Sequence, residues 1–315
     1  MTQMAPADAQ ANSKFAARDT ANIVLSVLLL SVFMGGSYIW LSASSDSYQC
    51  NKAMSDVVVK WYNLSMALGS ASLILWHYLD TDPFKVRYVV YGRPEIAPVQ
   101  RDFLHIQRMS TFTVWSNITS SLFFCCSAVL GFLGHERAPP ALCTANQVLW
   151  ELTFPLAFFV NIVVTFVLIP SIKKMRDMDK LDRILRLRPQ LLHNGLALAA
   201  AMEAVLAAPP LAIAHFPVLV LFGTVYVVFS WYFFMQTGIF HYMFLDHRFQ
   251  YQPLALLLLL ALLAAVYCVG SVALTHATSS AWARLGILVF ALGTCTWRKG
   301  ELSPNQSSFA KLLAS

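Results

Sequence analysis

The sequence predicts an all-α fold: a polytopic transmembrane helix bundle of about eight spans, with the N- and C-termini in the cytosol. Three observations lead to this prediction. Of the 315 residues, 57% are hydrophobic and only 12% are charged, which is more apolar surface than one soluble core could bury. The apolar residues form separate runs of roughly 20 residues, the length that crosses a bilayer. The basic residues lie in every second segment between those runs.

The eight apolar runs are bounded by polar or helix-breaking residues. The fifth ends at Pro209 and Pro210, which cannot continue a helix and predict a tight turn into the sixth. The eighth is short and carries Arg284 near its start. The first could instead be a cleaved signal sequence, but it lies far from the chain start, which favours a retained anchor. The predicted spans are Ala21–Leu41, Val57–Leu79, Thr111–Leu133, Val148–Ile169, Leu191–Ala208, Val218–Phe240, Pro253–Ala273 and Ala281–Thr296.

Lysine and arginine residues set the predicted orientation. One alternating set of segments holds nearly all of them: Lys14, Arg18, Lys85, Arg87, Arg93, Arg101, Arg108, Lys173, Lys174, Arg176, Lys180, Arg183, Arg186, Arg188, Arg248, Arg298, Lys299 and Lys311. The opposite set holds only Lys52, Arg137 and Arg284. The positive-inside rule therefore places both termini in the cytosol. The net charge of +6 is explained by this topology, so we predict no nucleic-acid partner.

The fourth loop and two outer cysteines carry further predictions. Apolar residues recur at helical spacing in that loop with basic residues between them, which predicts a helix in the cytosolic interface; the alternative is a solvated linker. These residues are Ile172, Met175, Met178, Leu181 and Leu185. Cys50 and Cys143 both lie in outer loops and could pair in an oxidising compartment, which the sequence leaves open. Because the sequence has no Walker loop, dinucleotide glycine pattern or zinc-type spacing, we predict no cofactor and no metal.

Ionisable residues inside spans mark packing partners or function. Lys60 and Glu151 lie at the same depth near the outer ends of the second and fourth spans, which predicts a structural ion pair between them. Glu203 lies deeper in the fifth span, where a carboxyl group is either protonated or functional.

The third span carries a polar stripe that suits acyl chemistry. Thr113, Asn117 and Ser120 recur at i, i+4 and i+7, so they share one helix face. His193 starts the fifth span at the same cytosolic depth and could take the Thr113 proton as general base. Asn117 could donate to the developing oxyanion. The alternative is structural: the Thr113 hydroxyl bonds back to the Met109 carbonyl, and the Asn117 amide bridges two helices.

Further polar residues lie at the cytosolic ends of other spans. His77 ends the second span, and His241 with Asp246 follows the sixth. A bundle could collect these groups into a shallow pocket in which Asp246 orients an imidazole. Alternatively, each histidine is an ordinary interfacial residue.

Several short runs resemble the androgen-induced-protein-like membrane family, which includes the androgen-dependent TFPI-regulating proteins, rolling-stone-like proteins and bacterial inner-membrane relatives. The runs are Phe112–Asn117 (FTVWSN), Leu122–Phe124 (LFF), Phe154–Val160 (FPLAFFV), Leu191–His193 (LLH) and His241–Asp246 (HYMFLD). The resemblance implies a six-span core over residues 57–273. Residues 1–56 then form an N-terminal tail, first span and outer loop, and residues 274–315 a last short span and cytosolic tail.

The same resemblance implies an activity. Animal members of the family are threonine hydrolases that cleave fatty acid esters of hydroxy fatty acids within the membrane. Carried over by motif, Thr113 falls on the nucleophile and His193 on its partner. The spacing and depth described above add Asn117, His241 and Asp246 as supporting residues. The expected partners are membrane lipid and a lipid ester substrate, and the expected location in a eukaryote is the endoplasmic reticulum or plasma membrane.

Two other functional classes stay open. A non-catalytic adaptor or cell-surface fusion factor would fit the rolling-stone resemblance, although the outer loops are short for a large interface. A transporter would show broken helices in two matching halves, and a haem protein would place histidine pairs on facing helices. The sequence shows neither pattern clearly.

Overall fold

The computed structural model is a bundle of apolar helices, and it describes residues 6–43, 52–90, 96, 98–134, 136–175 and 178–295. Six helices in this part of the chain are long and apolar enough to cross a membrane. The chain is therefore a multi-pass helical membrane protein. The six segments are Arg18–Ile39, Val57–Leu79, Phe112–Leu133, Pro140–Lys174, Ile213–Thr237 and Gln252–Ala277.

Eleven α-helices lie in the described part of the chain, and two π-helical turns join pairs of them. In chain order they are α1 (Pro6–Ala43), α2 (Val57–Leu79), α3 (Phe112–Leu133), α4 (Pro140–Ile162), α5 (Ile169–Met175), α6 (Met178–Ile184), α7 (Leu187–Gln190), α8 (Leu196–Leu206), α9 (Phe216–Thr237), α10 (Gln252–Ala277) and α11 (Ala281–Thr294). The π turn Val163–Leu168 joins α4 to α5, and the π turn Leu191–Gly195 joins α7 to α8. The predicted fifth and eighth spans thus correspond to an interrupted helix and a 14-residue helix.

The structure is helical as predicted, with one addition, a short β-hairpin. Strands β1 (Phe84–Tyr88) and β2 (Val99–Phe103) pair antiparallel within the loop between α2 and α3. Along β1, three apolar residues alternate with Lys85 and Arg87, and the apolar face packs against the bundle. This period-2 pattern is typical of a half-buried strand. The strand was not predicted, because the same cations also mark the cytosolic side of the membrane.

The burial pattern suits lipid on the outside and polar contacts within. Large apolar side chains such as Leu258, Val269 and Trp282 are exposed on the helix surfaces. Such an apolar outer surface is stable against hydrocarbon and not against water. Helix α8 lies in the centre, where four fully buried alanines let its neighbours approach closely. They are Ala197, Ala200, Ala201 and Ala204.

The turn after α8 is held by side-chain donors. Pro209 and Pro210 end the helix, so the carbonyl groups of the turn need hydrogen-bond donors from other helices. The Trp150 indole donates to the Pro209 carbonyl at 3.0 Å, and the Gln147 amide donates to the Pro210 carbonyl at 2.8 Å. The Ser271 hydroxyl donates to the next carbonyl, that of Leu211, at 2.6 Å. The predicted break at Pro209 and Pro210 is confirmed, and its buried carbonyls are satisfied by α4 and α10.

The predicted pair between Lys60 and Glu151 is wrong. Glu151 accepts hydrogen bonds from Gln147 at 3.0 Å and lies 2.8 Å from Nδ1 of His215. The Lys60 ammonium instead lies 5.5 Å from the centre of the Phe132 ring. Equal depth in the membrane places two residues in one layer but not on facing sides of their helices.

The predicted interfacial helix in the fourth loop is also corrected. Ile172, Leu181 and Leu185 are buried and belong to the main apolar core. The amphipathic pattern therefore reports a face that packs on the bundle rather than on lipid. The structure includes Cys143 as a disulfide-bonded residue, but Cys50 lies outside the described residues, so their pairing stays a prediction.

Gly270 allows α10 to approach α4. A Cβ atom at this position would lie 2.7 Å from Cε1 of the Phe154 ring and 3.3 Å from Leu211. We expect Gly270→Ala to lower the stability in detergent by about 1–3 kcal/mol, because the ring must shift in a packed core. Thermal melting of the purified protein measures this. Gly286→Ala is the matched control, since nothing lies within 4 Å of its Cβ position; equal melting temperatures for the two variants would contradict the prediction.

Candidate functional site

An apolar cavity of about 110 Å³ lies inside the bundle. Its walls come from α1, α3, α4 with its π turn, α9, α10 and the loop after α9. The lining is almost entirely aliphatic and aromatic, and includes Leu30, Phe33, Phe159, Val164, Val227 and Leu260. A cavity of this chemistry suits a hydrocarbon chain, because it offers dispersion contacts and almost no hydrogen-bonding partners.

Thr113 lies on the wall of this cavity, in the first turn of α3. Its hydroxyl interacts with the phenol of Tyr242, which also lines the cavity. The helix begins here because Thr111 caps it, with its side-chain oxygen accepting from the Val114 amide. The sequence thus places a hydroxyl pair beside a hydrocarbon-lined space.

The polar stripe of α3 faces the protein interior, as predicted. Thr113, Asn117 and Ser120 are all buried. The Ser120 hydroxyl donates to the Ser116 carbonyl at 2.9 Å, so this residue is occupied within its own helix. Thr113 does not show the same back-bond; its hydroxyl contacts Tyr242 instead.

Asn117 joins the third helix to the segment that carries His193. Its amide donates to the Thr113 carbonyl at 2.8 Å and to the Leu192 carbonyl at 2.9 Å. Leu192 and His193 are neighbours in the π turn Leu191–Gly195. A π turn leaves carbonyl groups open to outside donors and occurs often at functional sites. Asn117 therefore acts as the helix bridge that sequence interpretation kept as its alternative.

His193 lies close in the chain to that bridge but does not contact Thr113. Its Nδ1 atom is buried and has no hydrogen-bond partner. Within the part of the chain that the structure describes, no hydrogen bond joins its ring to the Thr113 hydroxyl, and His193 is not among the residues lining the cavity. The bridge through Asn117 ties the two segments together without bringing the two side chains into contact.

His241 forms a different hydroxyl–imidazole contact. Its Nε2 atom lies 2.6 Å from Oγ of Ser110, three residues before Thr113. The Ser110 hydroxyl also lies 2.5 Å from the Gln107 carbonyl, the shorter of its two contacts. Because a hydroxyl has one hydrogen, donation to that carbonyl leaves the imidazole N–H as donor to the serine. The contact therefore fastens the loop after α9 to the start of α3.

Three aromatic rings surround the His241 imidazole and complete its burial. The Phe233 ring stacks on it at 5.0 Å, and Phe84 and Phe103 of the hairpin lie at 6.4 and 5.6 Å between ring centres. Burial, with Lys180 nearby, lowers the pKa of His241 to about 4. The imidazole is thus neutral at physiological pH.

Asp246 binds an arginine rather than orienting an imidazole. Its carboxylate accepts hydrogen bonds from Nε of Arg248 at 2.9 Å and from the Tyr88 phenol, and its side chain is 1% exposed. The pKa of Tyr88 is raised by burial and by this carboxylate. Asn22 of α1 donates to two carbonyls of the same loop, those of His247 and Phe249. Asp246 is therefore the centre of a clamp on the segment that carries Tyr242.

His77 belongs to a separate cluster. At the end of α2, Asp80 forms ion pairs with Arg108 at 2.9 Å and with Arg188. Burial alone would raise the pKa of Asp80, but the hydrogen bonds from both guanidinium groups outweigh it and hold that pKa at about 2. The cluster joins α2, the turn before α3, and α7. His77 interacts electrostatically with these arginines and not with the cavity.

The structure therefore brings together Thr113 and Tyr242, and ties Asn117 to the His193 segment. His241 and Asp246 lie in the same loop as Tyr242 and hold it in place. Tyr242 and Ser110 were missed by sequence interpretation. Tyr242 lies inside the run His241–Asp246 (HYMFLD), which was the signal that could have identified it. Ser110 lies before α3 and outside any motif, so no sequence signal pointed to it.

Acidification should destabilise the loop around His241. The folded-state pKa of about 4 lies below the unfolded value of about 6.5, so the unfolded chain binds more protons between these values. Stability is fully present above about pH 6.5 and is lost as pH falls towards 4. We expect the melting temperature in detergent to drop over this window, and the drop to be shallower in His241→Gln.

The control is His276→Gln, which changes an exposed histidine and should leave the slope of melting temperature against pH unaltered. Part of the slope persists in His241→Gln, because burial also lowers the pKa of His247. An unchanged slope in His241→Gln would contradict the role given to His241.

Comparison with known proteins leaves function to be argued from this geometry. No family model, no curated protein and no solved structure matches the chain.

Proposed function

We propose that this chain is an intramembrane hydrolase of lipid esters, with Thr113 as nucleophile and His193 as general base. The substrates are fatty acid esters of hydroxy fatty acids or similar esters, and no cofactor is required. The bundle would have eight spans with both termini in the cytosol, six of them in residues 57–273. One observation carries the proposal: Thr113 lines an apolar cavity, and its hydroxyl interacts with Tyr242, which lines the same cavity.

The cavity supports a lipid substrate over a water-soluble one. Four of the lining residues carry a hydroxyl, namely Thr113, Thr224, Tyr226 and Tyr242, and the other side chains are hydrocarbon. An ester whose acyl chain fills the apolar part would place its carbonyl group beside Thr113. Burial of the chain supplies binding energy in proportion to the apolar area removed from water. The same burial positions the carbonyl for attack.

His193 is supported as the base by its environment rather than by a contact. Its Nδ1 atom is buried and lacks a partner. An unpaired buried polar atom costs stability, and a catalytic role would explain why that cost is retained. The π turn places it one residue from the Leu192 carbonyl that Asn117 binds. A small rearrangement of this turn on substrate binding would let the imidazole take the Thr113 proton, as catalytic hydrogen bonds often tighten only in the complex.

Gly223 offers a test of the acyl-chain cavity. It lines the cavity, and a Cβ atom there would meet nothing within 4 Å. We expect Gly223→Leu to fill the space and lower kcat/KM for long-chain esters at least ~10-fold, because the chain can no longer be buried. Hydrolysis of a short acetyl ester should change little, since it does not need the filled volume.

Gly286→Leu is the matched control, because Gly286 lies on the exposed surface of α11 with nothing near its Cβ position. Both variants are purified in detergent and assayed with esters of increasing chain length. Equal kcat/KM values for Gly223→Leu and the unmodified protein across all chain lengths would contradict the cavity as the acyl site. An absence of ester hydrolysis in the unmodified protein would contradict the proposed function itself.

A further inference from the structure

Acyl transfer at Thr113 needs a hydrogen-bond donor for the substrate oxygen that becomes negatively charged. Sequence interpretation assigned this task to Asn117. Both hydrogens of its amide are used inside the bundle, one by the Thr113 carbonyl at 2.8 Å and one by the Leu192 carbonyl at 2.9 Å. A side-chain amide has no third hydrogen. The donor therefore has to be another residue.

Four side chains that line the cavity carry a hydroxyl: Thr113, Thr224, Tyr226 and Tyr242. The Thr224 hydroxyl donates at 2.9 Å to a carbonyl one turn earlier in α9. The Tyr226 phenol donates at 3.1 Å to a main-chain carbonyl just before α3. Only the Tyr242 phenol, among these lining residues, is paired with the nucleophile's own hydroxyl. A substrate carbonyl that enters beside Thr113 can replace that contact without breaking the fold.

The Tyr242 ring is held by aromatic contacts, and its phenol oxygen also interacts with the main chain of Phe112 and Thr113 at the start of α3. It stacks on Phe244 with ring centres 5.3 Å apart and an interplanar angle of 15°. Tyr226 meets it edge-on at 6.4 Å. Burial raises the pKa of Tyr242, so the phenol keeps its proton at neutral pH and can donate it to a hydrogen bond. A donor fixed before the reaction is the arrangement that stabilises an oxyanion best.

From these contacts we infer that Tyr242 is a catalytic residue whose phenol donates a hydrogen bond to the ester carbonyl oxygen. The inference rests on the proposed function and names the missing donor of its site. As the Thr113 oxygen bonds to the carbonyl carbon, its proton passes to the imidazole and the C=O electron pair moves onto the carbonyl oxygen, which Tyr242 holds. When the carbonyl reforms, the ester C–O bond breaks and the imidazole returns the proton to the leaving alcohol. Water then hydrolyses the acyl-threonine by the same steps.

Tyr242→Phe tests the inference, because it removes the hydroxyl and keeps the stacked ring. We expect kcat for a long-chain ester to fall about 100-fold while KM stays within about twofold, since the lost bond forms mainly in the transition state. Tyr251→Phe is the control: it removes a phenol from an exposed ring in the loop before α10 and should leave both constants unchanged.

Inhibitor binding separates a catalytic role from a structural one. The Thr113 oxygen adds to the carbonyl carbon of a long-chain trifluoromethyl ketone and forms a negatively charged tetrahedral adduct. The matching ether has no carbonyl group, so it fills the cavity without forming such a charge. Tyr242→Phe should bind the ketone about 100-fold more weakly and the ether equally well. If Tyr242→Phe does not fold, 3-fluorotyrosine at position 242 keeps the ring and hydroxyl as a stronger donor and should tighten ketone binding relative to the ether.

The outcomes distinguish the two levels of the proposal. If the unmodified protein hydrolyses esters, Thr113→Ala does not, and Tyr242→Phe keeps its kcat, then the inference about Tyr242 is wrong and the proposed function stands. Equal weakening of ketone and ether binding would also overturn it, because it would show a damaged cavity. If the unmodified protein hydrolyses no ester, the proposed function fails and the inference fails with it.

Discussion

Thr113→Ala is expected to lower kcat/KM for long-chain ester hydrolysis at least roughly 10³-fold, because it removes the atom that forms the acyl bond. The cavity and the fold should survive, because Tyr242 is the one partner of this hydroxyl among the described residues and alanine keeps the helix. Thr113→Ser keeps a hydroxyl at the same position and should retain a measurable fraction of the activity.

Thr119→Ala is a closely matched control for this variant. Thr119 lies on the same helix, and both threonines are 7% exposed. Its hydroxyl donates to the Trp115 carbonyl at 3.0 Å and has no contact with the cavity. We expect its kcat/KM to equal that of the unmodified protein.

Covalent labelling with a fluorophosphonate probe identifies the reacting residue directly. The label should map to the peptide that carries Thr113 and should be absent from Thr113→Ala. Label at Ser110, which lies 2.6 Å from an imidazole, would reject Thr113 as the nucleophile and move the chemistry to the Ser110 and His241 contact. Full activity in Thr113→Ala would reject the threonine mechanism altogether.

The sequence predicted the membrane helices well because their signal is local. Val57–Leu79 has the predicted bounds, and Phe112–Leu133 begins one residue later than predicted. A run of apolar residues has few alternatives to a spanning helix when its backbone must be satisfied within hydrocarbon. The polar face of α3 was predictable for the same reason, since the i, i+4, i+7 spacing fixes one face.

Contacts between helices were not predictable, because spacing within one helix does not fix its rotation against another. Lys60 and Glu151 share a depth yet face different neighbours, Phe132 and His215. The partner of the Thr113 hydroxyl is another case: the sequence suggested His193 from depth alone, and the structure gives Tyr242. Residues in loops depend on tertiary contacts even more, which is why Ser110 carried no signal.

The loop after α9 shows how a short motif can be structural and still matter for the site. Within the run HYMFLD, Tyr242 reaches the cavity, while His241 and Asp246 fasten the loop to Ser110 and to Arg248. The N-terminal helix takes part as well, because Asn22 binds this loop and Leu30 lines the cavity. The predicted division of the chain at residue 56 stays a prediction, but α1 contributes to the site.

Asp246→Asn is expected to have the largest effect on stability, a loss of about 3–5 kcal/mol. Its carboxylate is the partner of Arg248 and accepts from Tyr88, and the side chain is 1% exposed. Removing one member of a buried ion pair leaves the other charge without compensation in a poorly solvated place. The neutral amide also cannot accept two charge-assisted bonds from a guanidinium group. Melting temperature in detergent measures the loss.

Asp182→Asn is the control, because its ion pair with Arg186 is exposed to solvent. The two side chains are 48% and 65% exposed, and the charged atoms lie 3.5 Å apart. Such a pair contributes at most about 1 kcal/mol to stability, so the melting temperature of Asp182→Asn should barely change.

The double variant Asp246→Asn with Arg248→Met should recover part of the loss, since no charge is then left buried. If Asp246→Asn melted like the unmodified protein but hydrolysed no ester, the clamp would be wrong and the carboxylate would act in catalysis. Because the clamp holds the segment that carries Tyr242, we expect stability and activity to fall together.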